Sequence, residues 1–365
     1  MIEALKLRNF KCFRDHQFNF KPLTILAGSN ATGKSSIIQS ILLAYQTIKE
    51  KESGKQWVDI NKSYDIHLGK ATSVRSNNFV GDPNTINITL DYNAMQYDFL
   101  YKIDENVYPN AFYINNCKLD EFANSNIRYL KAERVGPRLF TSMNSQPYFL
   151  GYNGEYVASV IAQADLIEMN FKDKLISEDK AKYKLSAQVE KWMSVIISDL
   201  TFTFNNDAKY GISHTHIQNS VSNEPVLPTA TGFGVSYALS IVAAGMLCSA
   251  EHNPILIVEN PEAHLHPAGQ SNMGKFLALL ASCGIQVIVE THSEHIVDGA
   301  RIQLLRNNET EMLNINFFDV LNDEVIVYPI NLKSNGELSN WPEGFFDQRQ
   351  IDLKELLELK LNAIK

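Results

Sequence analysis

Gly28-Ser29-Asn30-Ala31-Thr32-Gly33-Lys34-Ser35 satisfies the pattern G-x-x-x-x-G-K-[ST] and stands where an apolar run gives way to a helical one. The run before it, LTIL at 23–26, is bounded by Pro22 and Gly28 and reads as a short buried strand. After it, Ile37, Ile38, Ile41, Leu42, Ala44 and Tyr45 recur at helical spacing until the charged KEKESGK breaks the pattern. A strand that enters a helix through a glycine-bearing loop turns its backbone N–H groups inward, and the helix N-terminus adds partial positive charge. Such a loop holds phosphate oxygens. Asn30, Ala31, Thr32, Gly33 and Ser36 would line the cradle, Lys34 would neutralise the β and γ phosphates, and Ser35 would place its hydroxyl on Mg2+.

Three further elements lie downstream. The apolar run ILIV at 255–258 ends in Glu259-Asn260-Pro261-Glu262, followed by AHLHP at 263–267. A carboxylate fixed at the end of a buried strand is how such folds hold the magnesium shell opposite the phosphate loop, so Glu259 is the expected metal partner of Ser35. His264 and His266, one residue apart before a proline, lack a zinc spacing, and a structural loop is the better reading. A second apolar run, IQVIV at 285–289, leads into Glu290-Thr291-His292-Ser293-Glu294-His295, a polar cluster at a strand's C-terminal end where α/β folds bind ligands. His292 is placed to sense a γ-phosphate, and Thr291 or Ser293 to cap the helix that begins near Glu294. Thr231-Gly232-Phe233-Gly234-Val235-Ser236 opens another helix. Alone it reads equally as a flexible turn; its position upstream of the acidic strand adds weight.

Around these motifs the chain is α/β. Ile2, Leu5 and Leu7 mark an opening strand, and strands at 255–258, 285–289 and 314–318 alternate with helices at 270–281 and 294–305, as a parallel sheet requires. Between 58 and 133, alternating runs such as INITLDY (86–92), YDFLYKI (97–103) and AFYIN (111–115) read as an antiparallel insertion. Residues 155–200 read as a helical insertion, in which KDKLISEDKAKYK (172–184), with its mixed signs, is a solvated helix face rather than a nucleic-acid contact. The expected division is a nucleotide-binding head at 1–330 and a short tail at 331–365. No internal repeat and no heptad array appears.

With 365 residues, 45% of them hydrophobic and 20% charged, the composition is that of a folded globular chain. The net charge of −8 argues against a protein that coats nucleic acid by charge alone, leaving room only for a local basic patch. Cys12, Cys117, Cys248 and Cys283 form no C-x-x-C pair, so neither a zinc site nor a disulfide framework is indicated, and a reduced, cytoplasmic setting fits. The longest apolar stretch, 237–250, falls short of the roughly 20 residues that span a bilayer. The charged N-terminus has no signal-peptide core.

The four elements in this order resemble ATPases of the ABC/SMC-head type, and within them the AAA ATPases of the OLD-like group. YLKAERVGPR (129–138), TGFGVSYALS, IVENPEAHLHPAGQ, VIVETHSEHIVDGAR and NGELSNWPEGFFD resemble the branch whose C-terminal domain of unknown function ends in W-P-x-G-F-F-D. NFKCF (9–13) is similar to the family's N-terminal loop near the nucleotide. The resemblance implies a P-loop head with a mostly parallel sheet and helices on both faces, which takes ATP and Mg2+. It also implies a homodimer in which Gly234 and Ser236 of one protomer contact the γ-phosphate held by the other. One departure is informative. ABC heads follow the magnesium acid with a glutamate that polarises water, whereas Glu259 is followed by Asn260, and an amide cannot accept that proton. Glu262 is a substitute of uncertain reach, so slow hydrolysis is expected, with His292 orienting the γ-phosphate.

Only 72 residues follow Ser293, too few for a fused nuclease domain, and the segment 36–230 lacks the coiled-coil arms of a chromosome-tethering head. The expected function is therefore a slow ATPase whose ATP-dependent dimerisation regulates a separate effector, a nuclease or toxin, in bacterial antiphage defence. The alternative is an OLD-like or SMC-like repair ATPase acting directly on DNA. Two smaller features stay open. Arg134 and Arg138 fit either a phosphate or DNA contact or an internal ion pair, and Trp341, Phe345 and Phe346 fit either tail docking or a partner anchor.

Overall fold

The chain opens with an antiparallel hairpin, β1 (Ile2–Phe10) and β2 (Phe13–Asn19), and then enters β3 (Leu23–Gly28) and helix α1 (Lys34–Glu52). This computed structural model describes residues 1–104, 106–116, 121–176, 183–197, 199–219, 224–322 and 324–363. Next come β4 (Trp57–Asp59), β5 (Thr85–Tyr92), β6 (Met95–Lys102), β7 (Ala111–Asn116) and β8 (Asn126–Leu130). A short β9 (Thr141–Ser142), helices α2 (Val157–Ala164) and α3 (Leu185–Ile196), and the hairpin β10 (Leu200–Asp207) and β11 (Ile212–Asn219) follow. The second half alternates: α4 (Phe233–Ser249), β12 (Pro254–Glu259), α5 (Pro267–Ser282), β13 (Gln286–Glu290), α6 (Glu294–Asn307) and β14 (Leu313–Leu321). It closes with β15 (Glu324–Asn331) and α7 (Gln348–Ala363).

The core sheet runs β15-β14-β3-β13-β12-β8, parallel except for the edge strand β15. The central strands β3, β12 and β13 are buried on both faces, which is why they read as apolar runs rather than alternating ones. Ile255, Ile257 and Ile288 face the α1 side, while Leu256, Val258, Val287 and Val289 face α4, α5 and α6. Helix α1 is packed between this sheet and the antiparallel sheet β2-β1-β5-β6-β7-β4. The strands read as an antiparallel insertion therefore extend the opening hairpin. Residues 126–130, inside the same expected stretch, instead form β8, the parallel edge of the core sheet beside β12.

Residues 155–200 hold α2 and α3, with the 3-10 turn Asp173–Leu175 between them among the described residues. Leu175 is fully buried, so that part of the lysine-bearing segment packs inward; residues 177–182 lie outside the described residues, as does Cys117. The long apolar run at 237–250 is α4, buried on nearly every side. Among the described residues no helix is long and apolar enough to cross a membrane. The W-P-x-G-F-F-D segment docks: Phe345 is fully buried, edge-on to Phe317 at 5.2 Å and to Trp341 at 5.1 Å. Helix α7 beyond it leaves Ile351, Leu353, Leu356, Leu357, Leu359 and Leu361 exposed.

Candidate nucleotide site

The C-terminal ends of β3, β13 and β12 lie side by side, with Leu26 paired to Glu290 and Glu290 paired to Glu259. That register brings the phosphate loop and two strand-terminal acids to one edge of the sheet. Gly28 has φ 136° and lies so close to β14 that a Cβ would stand 2.1 Å from the Phe318 carbonyl oxygen, so only glycine fits there. Ala31, at φ 63°, adds strain of about 1–3 kcal/mol. Burial of Ile37, Ile38, Ile41 and Leu42, at about 1.5–3 kcal/mol each, outweighs it and holds α1 in place.

Within the loop, the Thr32 hydroxyl donates to the Ser29 carbonyl at 2.8 Å, and the Lys34 ammonium donates to the Gly28 and Ser29 carbonyls at 3.0 and 2.6 Å. Asn30 and Ala31 are exposed at the loop's tip. Ser36 is buried beneath it, near the Cys12 thiol of the β1–β2 turn. Helix α1 starts after Gly33 with no side-chain cap and no acidic residue in its first turn. Its amide groups are thus left for an anion, which the positive end of the helix dipole favours.

Ser35 does not meet Glu259. Its hydroxyl donates to both carboxylate oxygens of Glu290, at 3.2 and 3.0 Å. Burial, reinforced by the charge of Glu259, pushes the Glu290 carboxyl up to about 7 against the opposing pull of Lys34 and Ser35. Glu259 accepts from the Tyr129 hydroxyl at 2.9 Å and the Ala132 N–H at 3.3 Å, and burial raises its carboxyl too. Asn260 adopts φ 45°, donates its N–H to the Glu290 carbonyl at 2.8 Å, and keeps a buried Oδ1 without a partner among the described residues.

Glu262 reaches back across the same edge. It accepts from the Thr291 hydroxyl at 2.7 Å and the His292 N–H at 2.8 Å, so Thr291 orients this acid while Ser293 caps α6. The His292 ring lies near the Gly28 backbone, and burial together with nearby Lys34 holds its pKa below the ordinary value. His264 and His266 are structural: His264 packs on Tyr237 and Phe233, and His266 caps α5. No cluster of three or more metal-ligating His, Cys, Asp or Glu side chains occurs among the described residues.

The structure thus brings together Lys34, Ser35, Glu259, Glu262, Glu290 and His292. Gly234 and Ser236 stand elsewhere, in the first turn of α4; Gly234 lines a cavity of about 560 Å3 with His264, Leu265 and Ile197. Two site residues were not picked out from the sequence, Glu290 and Tyr129. Glu290 ends an apolar strand just as Glu259 does, and that shared position was its signal. Tyr129 gave none. Of the readings open for Arg134, the ion pair is not seen among the described residues: buried, it donates to the carbonyls of Lys131, Glu259 and Asn260. Arg138 is exposed.

These residues fit a magnesium nucleotide: an uncapped helix start beside a lysine accommodates phosphates, and a serine hydroxyl paired with a carboxylate is an oxygen donor set suited to Mg2+. The fold is that of SMC heads. The chain superposes on the SmcHead bound to the C-winged helix domain of ScpA with a TM-score of 0.52 at 13% identity, covering 91% of this chain and 98% of that one. It superposes on the Smc head domain with an extended coiled coil bound to the C-terminal domain of ScpA, from Pyrococcus furiosus, with a TM-score of 0.54 at 12% identity, covering 99% of each chain. No curated protein matches. A protein family of unknown function, DUF3696, matches residues 309–356, which include the docked W-P-x-G-F-F-D segment. The AAA ATPase domain model, AAA_15, matches residues 1–135 and 161–297, most of the chain and every element of the site, and the protein belongs to that family.

Proposed function

We propose that this protein is a cytoplasmic, slowly hydrolysing ATPase that closes as a homodimer around two ATP molecules and passes that state to a separate effector, a nuclease or toxin of bacterial antiphage defence. The observation that carries the reading is the convergence of Lys34, Ser35 and three carboxylates at the ends of β3, β13 and β12. Lys34 exchanges two backbone carbonyls for phosphate oxygens. Ser35 and Glu290 would hold Mg2+, which when bound supplies charge neutralisation at the β and γ phosphates. His292 would turn its ring N–H from the Gly28 backbone to the γ-phosphate region, and Glu259 and Glu262 orient water. Slow turnover follows because Asn260 stands where a proton acceptor is needed, and Glu262 is already engaged by Thr291 and His292.

The sandwich reading draws on the SMC-head fold and on α4, whose N-terminal Gly234 and Ser236 lie away from their own phosphate loop and so suit the partner's. A protein partner is supported by two points. The SMC heads of like fold were crystallised with ScpA, and α7 presents a row of exposed leucines. Lys34→Ala should abolish ATP binding, and Glu259→Gln should bind ATP yet stay closed, read by gel filtration with and without nucleotide. If Glu259→Gln changes neither assembly nor shape on adding ATP, the switch fails. A native turnover comparable to that of motor ATPases would refute the assignment of slow hydrolysis.

A further inference from the structure

Among the described residues, Arg134 is a cation buried without a carboxylate hydrogen-bond partner. Only 3% exposed, it donates from Nη1 to the Glu259 carbonyl at 2.7 Å and to the Lys131 carbonyl at 3.2 Å, and from Nη2 to the Asn260 carbonyl at 2.5 Å. Its guanidinium lies 5.0 Å from the centre of the Tyr237 ring. Tyr237 directly follows Ser236 in α4, so one side chain grips the backbone of the acidic turn and the helix that carries the signature.

A second contact reinforces the first. The Tyr237 ring meets His264 edge-on at 4.9 Å, and Phe233 lies 5.3 Å from the same imidazole. Gly234 approaches the turn so closely that a Cβ would stand 2.5 Å from the His264 carbonyl oxygen, so the start of α4 is seated directly on His264 and Leu265. Asn260 and His264 both hold positive φ, at 45° and 61°, a conformation that the surrounding contacts must impose. Two consecutive carbonyls held by one planar fork require arginine; lysine offers a single point donor and no flat face for the ring.

We propose that Arg134 is a positioning residue that couples the signature helix to the acidic turn, so that engagement of α4 with the partner's γ-phosphate sets Glu259, Asn260 and Glu262 for hydrolysis. This rests on the ATP-sandwich reading above. A shift of α4 carries Tyr237, Tyr237 carries the guanidinium, and the guanidinium carries the carbonyls of Glu259 and Asn260.

The test uses the full chain. ATP-dependent assembly, affinity for a fluorescent ATP analogue, and kcat and KM are measured for the native protein, Arg134→Lys, Tyr237→Leu, Tyr237→Phe and the Arg134→Lys/Tyr237→Leu pair. Coupling through the cation–π contact lowers kcat about five- to thirtyfold in Arg134→Lys and Tyr237→Leu, with KM and affinity within about twofold of native. Tyr237→Phe, which keeps the ring face, retains native kcat, and the double variant loses no more than the worse single one. Native kcat in Tyr237→Leu, or losses that multiply in the double variant, overturns the proposal; Tyr237→Leu decides alone if Arg134→Lys does not fold. Absence of ATP-dependent assembly in the native protein sinks the sandwich reading and the coupling with it, whereas native assembly with unaffected Tyr237→Leu turnover sinks the coupling only.

Discussion

Glu290→Gln should make the nucleotide-free protein more stable at alkaline pH while stopping hydrolysis. Burial is the largest cause that raises the Glu290 carboxyl from its ordinary 4.5 to about 7. That rise, at about 1.36 kcal/mol per pH unit, corresponds to at most about 3.4 kcal/mol. The sign follows from linkage. A carboxyl raised in the folded state contributes stability that is fully present below pH 4.5 and is lost as pH rises through 7, because folding then buries a charge. Glutamine is never charged and still accepts from the Ser35 hydroxyl, so the variant escapes that loss. Urea unfolding without nucleotide or Mg2+ should show the variant equal to native near pH 4.5 and more stable by about 2–3 kcal/mol at pH 8. A variant less stable than native at pH 8, or a difference that does not change with pH, would refute burial as the dominant influence on Glu290.

Phe345→Ala empties a fully buried site between Phe317, Trp341 and Phe346, and should cost about 3–5 kcal/mol and expose the tail to limited proteolysis; an unchanged digestion pattern would contradict docking. Gly28→Ala places a methyl 2.1 Å from the Phe318 carbonyl oxygen at φ 136°, so binding of a fluorescent ATP analogue should be lost, and native affinity would show that the loop can shift. Burial raises the thiols of Cys12, Cys283 (to about 11) and Cys248 (to about 12), so mapped alkylation of the native protein at pH 7.5 should be slow at Cys12 and Cys283 and absent at Cys248 until unfolding. Rapid native labelling of Cys248 would contradict its place inside α4.

Much of the site was legible because its chemistry is local. The phosphate loop needs glycines, Lys34 and Ser35 within eight consecutive residues, and the strand and helix flanking it announce themselves by period. The α/β alternation after residue 254 was equally plain, since strands buried on both faces are mostly apolar. The antiparallel region was harder. Alternation reveals which strands have one buried face, but not that β5 would pair with β1, or that residues 126–130 would leave that sheet for the core.

Strand order also decided which acid meets Ser35. Glu259 and Glu290 have the same local signature, an apolar strand ending in glutamate, and nothing in either segment says which strand lies beside β3. Because β13 sits between β3 and β12, Glu290 takes the serine and Glu259 is left to Tyr129 and the Ala132 amide. Arg134 is the extreme case: besides the nearby Lys131 carbonyl, its partners are backbone carbonyls 125 and 126 residues away and a ring on α4.

By itself the sequence determined the phosphate loop, the helix it feeds and the two acid-bearing strands, because hydrogen bonding and hydrophobic period act over neighbouring residues. Only the tertiary structure decided that Ser35 answers to Glu290, that Glu262 is bound to Thr291 and His292, and that Arg134 joins α4 to the acidic turn. Each of those contacts depends on the order in which parallel strands pack, and that order is set by burial across the whole sheet rather than by any one segment.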